Sequence, residues 1–139
     1  MGRAGTSRRE ATVTVAATAA DVRGLLRVPE RLPTVVGRLQ DVRRIDDREA
    51  VWTLVAPGAA NLRRRMRMAE SGDAIVYESM EGPLLRITAG VVPRSQGTCV
   101  VRIRRETAVG GSAAERLDAL VFAPWLAAAD AARLREVFA

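Results

Sequence analysis

The sequence predicts an α+β fold: a seven-stranded curved antiparallel sheet around a long C-terminal helix, with two short helices after the first strand. Three observations lead there. A β-branched run precedes two short helical segments; six strand-length runs follow, separated by turn residues; and a helix with its own start signal runs to the last residue. A sheet that wraps a helix buries one face of each strand, and such a shape encloses a pocket suited to an apolar small molecule.

The elements follow in order. Residues 1–10 read as a flexible basic tail, and residues 11–139 as one ligand-binding domain. Thr12-Val13-Thr14-Val15-Ala16 is β-branched and reads as a strand. Thr18 or Asp21 caps the next helix, in which Val22, Leu25 and Leu26 fall at helical spacing before Pro29 ends it. Pro29-Glu30-Arg31-Leu32 opens a second helix that Pro33 keeps short. From Arg38 the period changes to two. Runs at 42–46, 51–56, 62–69, 74–80, 84–92 and 98–107 are separated by Asp46-Asp47-Arg48, Pro57-Gly58, Ser71-Gly72-Asp73, Glu81-Gly82-Pro83 and Ser95-Gln96-Gly97, which is the turn chemistry of an antiparallel meander. After Gly110-Gly111, Ser112 and Glu115 form a capping box. Leu117, Leu120, Val121, Trp125, Ala128, Ala132 and Phe138 then keep an apolar stripe that Pro124 should kink.

Composition removes several function classes. A chain of 139 residues, 48% hydrophobic and 27% charged, fits an ordinary globular domain with a real core. No apolar run approaches the ~20 residues that span a bilayer, and the first ten residues have no apolar centre like that of a signal peptide, so a cytoplasmic protein without stable membrane insertion is expected. With one Cys and no His, no zinc or iron constellation is expected, and neither metal nor cofactor is called for. The net charge of +6 and the run Arg63-Arg64-Arg65-Met66-Arg67 raise nucleic-acid binding. Few aromatics are available for stacking, and Arg63, Arg65 and Arg67 alternate as the wet face of a strand would, so no nucleic-acid partner is expected.

Several stretches together resemble the START-like, or SRPBCC, superfamily in its polyketide cyclase/dehydrase and coenzyme Q-binding branch. They are Ala16-Ala17-Thr18-Ala19-Ala20-Asp21-Val22, Val28-Pro29-Glu30-Arg31-Leu32-Pro33, Val42-Arg43-Arg44-Ile45-Asp46, Val51-Trp52-Thr53-Leu54-Val55-Ala56-Pro57-Gly58, Tyr77-Glu78-Ser79-Met80-Glu81-Gly82 and Ala123-Pro124-Trp125. The resemblance runs from about Ala11 to Ala139 and rests on scaffold positions. It implies a helix-grip fold around a deep hydrophobic cavity. It also implies one of two roles: cyclisation, dehydration or rearrangement of a polyketide-type secondary-metabolite intermediate, or non-catalytic carriage of a lipid or isoprenoid quinone. A monomer or homodimer fits either.

Strand alternation nominates the lining. Trp52 and Leu54 share one face; so do Leu62, Arg64, Met66 and Met68, then Ile75, Tyr77 and Ser79, then Leu85, Ile87, Ala89 and Val91. Leu120 and Pro124 approach from the helix. Buried Trp N–H and Tyr O–H groups need partners, which a ligand can supply. An inward Arg64 must be paired with a carboxylate or a ligand oxygen unless it reaches solvent. The last strand allows two frames. Val101 and Ile103 argue for one inward parity; the family pattern argues for Val100, Arg102, Arg104 and Glu106. In the second frame the catalytic set would be Tyr77 or Arg64 as carbonyl-polarising donor and Glu106 as the base, its pKa raised by burial.

Overall fold

The computed structural model describes residues 5–55, 61–82, 84–109 and 126–139. Strand β1 (Gly5–Val15) leads into helix α1 (Ala19–Leu26) and a 3₁₀ helix at Pro29–Thr34. Strands β2 (Leu39–Arg44), β3 (Glu49–Leu54), β4 (Leu62–Ser71), β5 (Ala74–Ser79), β6 (Leu85–Ser95) and β7 (Thr98–Val109) form the meander, and α2 (Leu126–Val137) follows. The seven strands make one sheet in the order β1-β7-β6-β5-β4-β3-β2, with every neighbouring pair antiparallel. This is the helix-grip architecture expected from the sequence.

Local chemistry accounts for the elements. Thr18 is the α1 cap, its Oγ1 accepting from the Asp21 N–H at 3.1 Å, and Val22, Leu25 and Leu26 are buried toward the sheet. The second helix is 3₁₀ throughout, because Pro29 and Pro33 remove the donors an α-turn would need. Gly72 (φ 58°) and Gly97 (φ 78°) take the left-handed conformation in the β4–β5 and β6–β7 hairpins, where a Cβ would be strained.

Two boundaries differ from expectation. The first strand begins at Gly5, not near Thr12, so residues 5–10 of the stretch read as a tail are in the sheet, paired residue for residue with Val109 back to Arg104. Alternating polar residues conceal such a strand, because its pairing is carried by the backbone. On α2 the buried positions are Ala127, Asp130, Ala131 and Leu134, while Ala128 and Ala132 face solvent and Phe138 is half-buried. The expected stripe carries one pitch across Pro124, whereas the register is set by a long-range contact of Asp130. The predicted capping box, Leu117, Leu120, Pro124 and Trp125 lie outside the described residues.

Candidate functional site

Inward-pointing residues of three central strands build one wall of a cavity: Ile75 and Tyr77 of β5, Ile87 and Ala89 of β6, Ile103 of β7. Tyr77 lies opposite Ile87, and Ile75, Ala89 and Ile103 fall in one cross-strand row, so the pleat alone brings them together. Leu26, Leu32, Val35 and Val36 close the side beneath α1 and the 3₁₀ helix, and Asp130 and Leu134 close it from α2. The space is about 30 Å³, room for a water molecule or two. Anything larger enters only if these walls part.

The polar groups at this wall are engaged. The Tyr77 hydroxyl donates to the Leu26 carbonyl at 2.5 Å, at the last turn of α1. Burial, the dominant influence, pushes its phenol far above the usual range, so it stays protonated at neutral pH. Asp130 Oδ2 accepts from Arg105 Nε at 2.6 Å and lies 2.5 Å from its Nη2. Asp130 Oδ1 accepts from the Gly37 N–H at 2.7 Å, and Arg105 Nη2 donates to the Gly37 carbonyl at 3.3 Å. One buried clasp thus joins β7, α2 and the segment after the 3₁₀ helix. Burial pushes the Asp130 carboxyl up from its ordinary value, against the pull of Arg105 and the Gly37 N–H. Burial likewise lowers Arg105.

The last strand settles on the Val101 and Ile103 frame. Cys99, Val101, Ile103, Arg105 and Thr107 are buried, and Arg102, Arg104 and Glu106 lie on the outer face. Glu106 is therefore no base inside the cavity; it faces Arg86 at 3.4 Å and pairs across the sheet with Arg8. Arg104 bonds Glu10 at 2.6 Å, and Arg102 is exposed. The family pattern misplaces the frame by one residue, and in a strand one residue exchanges the faces. The inward arginine of β7 is Arg105. Sequence reasoning missed both it and Asp130, although a lone acid among Ala127, Ala128, Ala129, Ala131 and Ala132 was a signal in plain view.

The other nominated residues divide. Trp52, Leu54 and Met66 are fully buried in the core beside the cavity, and Met68 packs against that core. The Trp52 ring lies 5.4 Å from the Tyr77 ring, tilted by 47°, and its Nε1–H has no hydrogen-bond partner among the described residues. Arg64 sits directly opposite Trp52 on β4, half-buried; its guanidinium lies 3.6 Å from where a Cβ on Gly82 would stand, and Nη1 donates to the Arg63 carbonyl at 3.2 Å. Ser79 Oγ accepts from the Leu85 N–H at 2.9 Å and so fixes the entry to β6. Leu120 and Pro124 lie outside the described residues. Among the described residues no group of three or more His, Cys, Asp or Glu is placed to hold a metal, and no helix is long and apolar enough to cross a membrane.

Sheet order, the two short helices after β1 and the C-terminal helix define a START-like, SRPBCC-type fold. Solved structures agree. An aromatase/cyclase, Zhui, from Streptomyces sp. R1128 superposes with a TM-score of 0.77 at 13% identity, covering 96% of this chain and 93% of that one. A START superfamily protein from Mycobacterium smegmatis gives 0.68 at 15% identity, with coverage of 96% and 99%. A norcoclaurine synthase point mutant from Thalictrum flavum, in complex with a transition-state analogue, gives 0.69 at 20% identity, with coverage of 99% and 97%. No family model and no curated protein matches the sequence.

Proposed function

We propose that this protein binds a hydrophobic small molecule between its sheet and its C-terminal helix, and that the molecule is a polyketide-type intermediate whose cyclisation, dehydration or rearrangement it promotes. The observation that carries the binding is the cavity at the centre of the fold, walled by Ile, Leu, Val, Ala and a tyrosine ring, with Asp130 its one acidic group among the described residues. Support for the chemistry comes from the fold shared with an aromatase/cyclase and from inward donors on β3 and β4, Trp52 and Arg64. Confinement and donors suffice to promote ring closure: holding a flexible chain folded removes entropy from the barrier, and a donor polarises the carbonyl under attack.

Carriage of a lipid or isoprenoid quinone is the second reading, and one observation favours it: Tyr77 and Asp130, the polar groups of the cavity wall among the described residues, already bond protein partners. Incubation with a synthetic linear poly-β-ketone separates the two. Faster cyclisation and a product mixture narrower than the spontaneous one support the enzyme; binding with an unaltered spontaneous mixture supports the carrier.

A further inference from the structure

The cavity, at about 30 Å³, admits a ligand only when a wall gives way, and its walls are held very differently. Strands β5, β6 and β7 each have a hydrogen-bonded neighbour on both sides. Helix α1 is tied to the sheet twice: Arg23 Nη2 donates to the Val91 carbonyl at 2.7 Å, and the Tyr77 hydroxyl donates to the Leu26 carbonyl. Helix α2 is joined to β7 by the Arg105–Asp130 pair. The remaining wall, Leu32, Val35 and Val36, comes from one short segment of 3₁₀ turn between α1 and β2. Short 3₁₀ turns have poor hydrogen-bond geometry, and segments of this kind open first.

The Val35 and Val36 N–H groups both donate to the Leu32 carbonyl, at 3.0 and 2.8 Å, so the three wall residues form one turn that can move as a unit. On the buried side that turn is fastened at Gly37, whose N–H donates to Asp130 Oδ1 at 2.7 Å and whose carbonyl accepts from Arg105 Nη2 at 3.3 Å. On the wet side the exposed Glu30–Arg44 pair, at 2.9 Å, ties the 3₁₀ helix to β2, and a pair in water holds little. Arg38 follows with φ of 67°, the one positive φ at a non-glycine position among the described residues. A residue with a Cβ keeps that conformation only where its surroundings impose it. The Val55 N–H holds the Arg38 carbonyl at 2.8 Å, so the bend is anchored beside β3. Once Gly37 is released, Arg38 can relax, which lowers the cost of opening. Arg105 and Asp130 still bond each other through Oδ2, so Gly37 can leave while α2 stays on the sheet.

We propose that residues 29–38 are the lid of the cavity, with Gly37 as its catch on the Arg105–Asp130 pair and Arg38 as its hinge. A ligand enters when this segment swings outward and takes Leu32, Val35 and Val36 with it, while the sheet, α1 and α2 keep their places. This inference rests on the proposed binding of a hydrophobic molecule in the cavity and adds the route by which that molecule gets in.

Amide hydrogen exchange of the full-length protein tests the lid, and stopped-flow binding of the neutral fluorophore N-phenyl-1-naphthylamine tests the route. After correction for intrinsic rates, the Val35, Val36 and Gly37 amides should exchange about a hundredfold faster than those of Tyr77 and Ile87, because local opening costs less than global unfolding. The double variant Arg105→Met, Asp130→Leu removes the catch and keeps its place filled. It should speed exchange at Val35 and Val36 about tenfold relative to Tyr77 and Ile87, the loss expected when hydrogen bonds to charged groups go. Arg44→Gln should speed it less than about threefold. Because the probe enters only the open form, its association rate should also rise about tenfold in the double variant. Glu106→Gln, on the outer face, should change neither reading. If the Val35, Val36 and Gly37 amides of the parent exchanged no faster than those of Tyr77 and Ile87, the segment would open only with the whole fold and the inference would be overturned, whether or not the double variant folds. Equal association rates in parent and double variant would also overturn it and would leave the cavity-binding reading intact. A protein that takes up no probe, with or without the catch, would overturn both.

Discussion

The two faces of the same sheet use charge in opposite ways. On the outer face Arg8, Glu106, Arg86, Glu78, Arg67 and Glu49 lie directly opposite one another on successive strands from β1 to β3, an alternating row across six of the seven strands. Arg86 bonds Glu78 and Glu106 within that row, and Arg65 holds Glu49 at 2.6 Å beside it. These pairs are wet. On the inner face the one charge pair at the cavity among the described residues is Arg105–Asp130, with both side chains 3% exposed and every oxygen of the carboxylate engaged. The contrast teaches that location decides what a pair does. In water the row mainly keeps the outer face soluble and in register. In the interior, a single pair with a backbone carbonyl and amide fixes how α2 sits on the sheet.

The sharpest way to break this comparison is to remove one partner on each side. Arg105→Met leaves a buried carboxyl without its cation and should cost about 3–5 kcal/mol in chemical denaturation, whereas the double variant Arg105→Met, Asp130→Leu should recover much of that loss. If the single and double variants were equally unstable, the clasp would be packing and not electrostatics. Glu106→Gln, the outer counterpart, should fall within about 1 kcal/mol of the parent, with its small effect shrinking further in high salt.

Between these extremes stands Tyr77, a neutral polar group at the boundary of the cavity. Tyr77→Phe leaves the Leu26 carbonyl unmet and should cost about 1–3 kcal/mol. Tyr77 also has a pH signature. Its phenol is raised in the folded state, first by burial, so its stabilising contribution is whole below the unfolded value of about 10 and is lost as pH rises above it, because only the unfolded chain then releases the proton. As the chain has one tyrosine, absorbance at alkaline pH reports this group alone. It should ionise only as the protein unfolds, and Tyr77→Phe should flatten the fall in stability over the same range. A freely titrating phenol in the folded protein would contradict the burial and the Leu26 bond.

The sequence carried the architecture because every level of it agreed: turn residues at each hairpin, a capped α1 from Thr18, and strict alternation through 49–54, 74–79 and 85–91. It carried the site less well, for reasons seen in particular residues. Tyr77, Ile87 and Ala89 follow from pleat alone and do line the cavity. Arg105 and Asp130 are joined across 25 positions by a contact between a strand and a helix, which no local period encodes. In β7, charged residues occupy both parities, so Glu106 and Arg105 are equally good candidates until the neighbours of the strand are known. Leu26 and Val36 enter from the helical segment above the sheet, whose placement depends on the clasp at Gly37.

The central claim is that the centre of this fold holds a hydrophobic small molecule, and native mass spectrometry of the protein purified from its own host tests it most directly. The account predicts a species heavier than the 139-residue chain by one small-molecule mass, released on denaturation as an apolar, oxygen-bearing compound that rebinds the stripped protein with one-to-one stoichiometry. A bare chain that stays bare when incubated with its host's lipid and metabolite extract would contradict it.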